Sequence, residues 1–187
     1  MKTPPGISLT NLPPTPLFPQ IILVATKGNE HKGITELITR LALRGPFDLI
    51  VGGEWLPDHD SLRRSVRRYT VNVNEMLDHA LLARASTYLQ FLDILERSNS
   101  QNELMLILGF LHQFYNPDVE LSLRQRALEK CCLRTQELSR SKFVIVLVEH
   151  LQIEEYRQFL PILESVADIV LEAEEISPIE ATQISLF

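Results

Sequence analysis

Three features of the sequence predict a single α/β domain in three layers, with a mainly parallel central sheet and helices on both faces. Near-continuous apolar runs recur at residues 21–26, 47–51, 104–108 and 143–148. Segments with apolar residues at helical spacing separate them. Strands apolar at every position are what a sheet covered on both faces requires, and parallel strands need crossovers that helices supply. The 187 residues suffice for one such core and leave no room for a second large domain.

The elements follow in order. Residues 1–20 hold six of the eleven prolines, which exclude regular helix and give an extended arm. The core domain is placed at 21–176 and a tail at 177–187. After the first strand, a glycine-bounded turn leads to a helix over 34–43, which Arg44, Gly45 and Pro46 end. The strand at 47–51 is followed by a helix to about Tyr69, capped by Asp58 or Asp60. Leu62, Val66 and Tyr69 lie on one of its faces, with Arg63, Arg64, Arg67 and Arg68 on the other. Asn74 is expected to cap a short helix before a strand near 81–84, and a helix through Tyr88, Leu92 and Leu95 comes next. The 104–108 strand precedes a long helix over 121–140 with Leu121, Leu128, Cys132 and Leu138 inward. After the 143–148 strand, a helix over 152–167 contains Pro161, expected to kink or divide it. A short strand at 169–171 closes the pattern.

Composition excludes several classes. No apolar run approaches the roughly 18 to 20 residues of a membrane helix, and prolines stand where a secretion signal would place its apolar stretch. The adjacent Cys131 and Cys132 form no disulfide framework, which suits a reducing compartment, cytoplasmic or nuclear. They are expected to be small core residues. His31, His59, His79, His112 and His150 have no metal-ligand spacing. The formal net charge is −6, unevenly spread. Residues 61–142 carry 12 basic and nine acidic side chains, whereas residues 143–187 carry one and nine. Phosphate binding draws its affinity from clustered Lys and Arg, so bulk electrostatics disfavours nucleic acid.

In folds of this kind ligands sit at the carboxyl ends of the strands. The turn after the first strand reads GNEHKGIT from Gly28 to Thr35, G-x-x-x-x-G followed by Ile34 and Thr35. This is the phosphate-loop pattern with its lysine replaced. In a working loop the glycines open backbone N–H groups to phosphate, the lysine neutralises it and the hydroxyl holds Mg²⁺. Gly28, Lys32, Gly33, Ile34 and Thr35 therefore form a degenerate candidate phosphate loop. Ile34 can do none of the lysine's work.

With Glu54, Trp55, Pro57, Arg68 and Tyr69 in order after the second strand, the sequence resembles the RecA superfamily, most closely the RadA-type recombinases and their paralogs. Leu77, Asp78, Ala83, Arg84, Ala85 and Gln90 match a later series, and residues 122–151 are similar to the helix and strand before the family's sensor glutamine. The resemblance covers about 21–171 and implies a RecA-like fold. It assigns Glu54 to a water-positioning role, here a remnant. It also implies a metal-supporting aspartate at the end of the 104–108 strand, where Gly109 stands, and a sensor glutamine where His150 stands. Losing one preorganised transition-state donor costs roughly 10² to 10³ in rate, so losing lysine and aspartate together predicts no efficient turnover.

The family's two DNA-contacting loops would fall at 110–121, which has Asp118 and Glu120 and no Lys or Arg, and after His150, in an acidic helix. The expected function is thus a non-catalytic RecA-like subunit without cofactor or metal. It would act by assembly with another RecA-like chain, as homo- or hetero-oligomer, with DNA met only indirectly or weakly and no membrane. One alternative is an ATP-binding switch that rebuilds its phosphate contacts from Lys27 or Lys32 with Mg²⁺. The other is a single-stranded DNA binder using Arg63, Arg64, Arg67 and Arg68 or the i, i+4 series Arg126, Lys130 and Arg134; each set also reads as a partner surface, and the simpler expectation is a solvated face, relieved on the second by Glu129 and Glu137. Trp55 is expected to be a core residue or an interface anchor.

Overall fold

A computed structural model describes residues 20–26, 31–53, 55–99, 101–149 and 153–173. The Gly28 end of the candidate loop, Lys27, Glu54, His150, the arm before Gln20 and the expected tail at 177–187 lie outside them. The elements run β1 (Gln20–Thr26), α1 (His31–Ala42), β2 (Phe47–Gly52), α2 (His59–Arg67), α3 (Val73–Asp78), β3 (Ala80–Ala85), α4 (Tyr88–Arg97) and β4 (Leu104–Leu108). A 3-10 turn (His112–Phe114), α5 (Leu121–Leu138), β5 (Phe143–Glu149), α6 (Glu154–Glu164) and β6 (Ile169–Ala173) complete the order.

All six strands are parallel, in the order β3-β2-β4-β5-β1-β6. The fold is the three-layer α/β arrangement the sequence predicts. Alternation along the strands sends Leu23, Ile50, Ile107 and Val146 to a layer formed by α4, α5 and α6, where Phe91, Leu128 and Phe159 cover them. Val24, Leu49, Leu108 and Ile145 face the other layer, where Ile34, Leu37, Ile38 and Leu41 of α1 and Leu62 of α2 pack. Every residue of β2 is buried, which explains an apolar run that only Asp48 interrupts. Among the described residues no helix is long and apolar enough to cross a membrane.

Local chemistry sets the boundaries. Asp58, not Asp60, caps α2 by accepting from Ser61 N at 2.8 Å. Thr87 accepts from Gln90 N while Gln90 Oε1 accepts from Ser86 N, a reciprocal pair that starts α4.

Several expectations are corrected. Asn72, not Asn74, holds the N-cap position of α3, and Asn74 instead accepts from Arg63 Nη1 at 3.1 Å. Tyr69 lies beyond α2 and is exposed, its hydroxyl directed to Glu36 rather than to the core. Leu121 is exposed at the start of α5, and the buried position one turn on is Arg124, whose guanidinium donates to Phe114 O at 3.0 Å. Pro161 does not divide α6. It forfeits one intrahelical hydrogen bond, but Tyr156, Phe159 and Leu163 on either side are buried against the sheet and hold the helix together.

Candidate functional site at the carboxyl ends of the strands

Because the sheet is parallel, every strand delivers its last residue to the same edge. The order β2-β4-β5-β1 therefore sets the four positions of interest side by side at the spacing of about 4.8 Å between neighbouring strands. Among the described residues, those leaving β2 and β4 meet there.

At the start of α1, Lys32 is exposed and Gly33 is buried. Ile34 is 0% exposed and belongs to the core beneath α1, so the side chain at the lysine's position points into the sheet rather than toward a phosphate. Thr35 is also buried, and its carbonyl accepts from Thr39 Oγ1 at 2.8 Å.

The end of β4 is closed by packing. Gly109 has φ +64°, the left-handed region in which a side chain is strained. A Cβ there would stand 2.6 Å from Gly52 O and 2.7 Å from Trp55 Cδ1, closer than real contacts allow. The position the resemblance assigns to a metal-supporting aspartate thus has no room even for alanine. Gly52 reciprocates: a Cβ on it would overlap the Gln113 amide and stand 2.6 Å from Gly109 O. Gln113 is buried and, with its amide nitrogen turned to the two carbonyls, donates to Gly109 O at 3.2 Å and Phe110 O at 3.0 Å. Gly109 N donates to Leu147 O at 3.1 Å, tying the turn to β5. Trp55 is buried in this contact, which answers the sequence-level choice in favour of packing.

Among the described residues a recess lies between Trp55, Gly109, His112, Tyr115 and Glu149, of about 10 Å³, room for roughly one water molecule.

The segment matching the first DNA loop folds inward. Phe110, Leu111 and Phe114 are buried. Phe110 meets Phe91 edge-on at 5.0 Å between centroids, and Tyr115 stacks on Phe159 at 6.1 Å. Arg124 lies 5.9 Å from the Phe159 ring. Residues 110–121 carry no Lys or Arg to offer a phosphate.

The basic residues divide. Arg126 and Lys130 are exposed on α5. Arg134 donates to the Leu95 and Glu96 carbonyls at 3.2 and 3.4 Å and pairs with Glu137 at 2.8 Å, so it closes the last turn of α4. On α2, Arg68 pairs with Glu36 at 2.9 Å, Arg63 bonds Asn74, Arg64 bonds Ser61 Oγ, and Arg67 is exposed. Glu36 also accepts from Arg40 at 3.0 Å and from the Tyr69 hydroxyl at 2.6 Å. Partial burial alone would raise the Glu36 carboxyl, but Tyr69, Arg40 and Arg68 together carry it below the ordinary carboxylate range. Both cysteines are buried, and burial pushes their thiols up to about 12, as inert core residues require.

Sequence reasoning missed three features: the Glu36 junction, the contact between Trp55 and Gly109, and a buried ion pair at the opposite edge. In the last, Lys142 Nζ lies 2.7 Å from Asp48 Oδ2 while Asn102 donates to Asp48 Oδ1 at 2.9 Å. Its signal was available, because Asp48 interrupts an apolar strand and Lys142 immediately precedes another. No protein-family model matches this chain, and no curated protein matches it.

Proposed function

We propose that this chain is a non-catalytic RecA-like subunit, of the recombinase-paralog kind, that works by assembling with another RecA-like protein in DNA recombination or repair. The packing at Gly109 carries this reading. A nucleotide site of the type the sequence resembles needs a carboxylate at that position to support Mg²⁺ and a cation at position 34 to meet the triphosphate. Here one position admits no side chain and the other turns an aliphatic one into the core. Both features support a reading without ATP or Mg²⁺, and no hydrolytic step is assigned. Arg68 and Arg134, spent on helix junctions, weaken the DNA-binding alternative.

Light scattering after size exclusion, on the chain alone and mixed with candidate RecA-like chains, tests the reading. A stable complex of defined stoichiometry that forms without nucleotide is the expected result. A chain that associates with no RecA-like protein contradicts it.

A further inference from the structure

β3 ends the sheet, and among the described residues no strand lies on its outer side. Edge strands of soluble proteins are ordinarily blunted by lysine, proline, a bulge or a covering segment. The sequence of β3, ALLARA, has no lysine or proline and a single charge, Arg84, and Leu81 and Leu82, which point to opposite faces of the sheet, are 53% and 51% exposed. The other edge strand, β6, carries Glu172, and the chain continues directly from its end.

The backbone directions on β3 follow from two hydrogen bonds. Phe47 N donates to His79 O and Gly53 N to Ala85 O, so odd-numbered residues turn their amide and carbonyl toward β2. Ala80, Leu82 and Arg84 turn theirs outward.

We infer that a second copy of this chain docks here, the two β3 strands pairing antiparallel about a two-fold axis at Leu82. In that register Leu82 exchanges both backbone hydrogen bonds with its symmetry mate. Leu81 stands opposite the partner's Ala83, large against small, and Arg84 stands opposite the partner's Ala80. No like charges face each other across the ladder. Arg84 is carried toward the partner's Asp78, and both are exposed and outside the ion pairs among the described residues. A C2 interface needs this self-complementarity. The inference deepens the assembly reading by naming one contact surface, and rests on that reading only for its biological purpose.

Hydrogen exchange and light scattering on the full-length protein over a concentration series test it. Mass should rise from 21.4 kDa to twice that, and the amides of Ala80, Leu82 and Arg84 should slow in step, while those of Leu81 and Ala83 stay slow throughout. Leu82→Lys should abolish the dimer with unchanged circular dichroism. A short bismaleimide should couple Leu82→Cys chains and leave Val170→Cys chains uncoupled, since the native thiols are buried. A monomer at every concentration, a dimer indifferent to Leu82→Lys, or a monomer in which the three outward amides are already slow, meaning that the chain covers its own edge, each overturns the proposal. A monomer that still binds a RecA-like partner defeats this inference alone. A β3 dimer that binds ATP defeats the function proposed above and leaves the interface standing.

Discussion

At the amino ends of its strands the sheet holds a carboxylate and an ammonium out of water, Asp48 and Lys142, with side chains 10% and 5% exposed. At the carboxyl ends, where domains of this class place their ligands, the described residues packed between β2 and β4 are Gly52, Gly109, Trp55 and Gln113. The charged pair ties two strands together, and at the end where a ligand is expected the described residues between β2 and β4 pack against one another. A buried pair is costly to bring out of water, and its attraction repays that only with good geometry and further hydrogen bonds. The 2.7 Å contact and the Asn102 amide supply both. The difference teaches that burial of charge in this molecule marks architecture, whereas small residues close the edge at which the resemblance expects chemistry.

The comparison can be broken at either end. The largest effect is expected from Lys142→Met, which strands Asp48 in the interior and should cost about 3 to 5 kcal/mol in urea unfolding. The double variant Asp48→Leu with Lys142→Met should recover most of it. At the other end, Gly109→Asp restores the residue type the resemblance calls for. It should cost about 2 to 4 kcal/mol, from positive φ and overpacking against Trp55 and Gly52, and calorimetry should find no Mg²⁺ binding gained. A stable Gly109→Asp protein would show that the turn can reopen.

Smaller effects come from the helix junctions between the two ends. Arg134→Ala should cost about 1 kcal/mol by releasing the α4 carbonyls and its pair with Glu137, without altering affinity for single-stranded DNA. Glu36 has the depressed pKa of a carboxylate held by Tyr69 and two arginines against its own partial burial. Its contribution is therefore fully present above the unfolded value of 4.5 and is lost as pH falls through the lower folded value. Glu36→Gln should lower stability at neutral pH, flatten the acid limb of the profile and leave stability below the folded value nearly unchanged.

Much of this was legible in the sequence. The apolar runs announced β1, β2, β4 and β5 because a strand buried on both faces cannot alternate. The inward place of Ile34 fits its apolar type within the helix that follows the G-x-x-x-x-G spacing. What a single sequence could not convey was contact across strands. That Gly109 excludes a side chain depends on Gly52 and Trp55, more than 50 positions away. That Arg124 faces inward depends on the Phe114 carbonyl and the Phe159 ring. Helical period marks a face but does not say whether a cation on it finds an acceptor, so Arg134 and Arg126 looked alike and are not.

Equilibrium titration of the full-length protein with a fluorescent ATP analogue and Mg²⁺ tests the central claim most directly. The account predicts no saturable binding up to millimolar concentrations. Saturable micromolar binding that disappears in Lys32→Ala would contradict it, because a triphosphate would then be held at an edge of the sheet read here as closed.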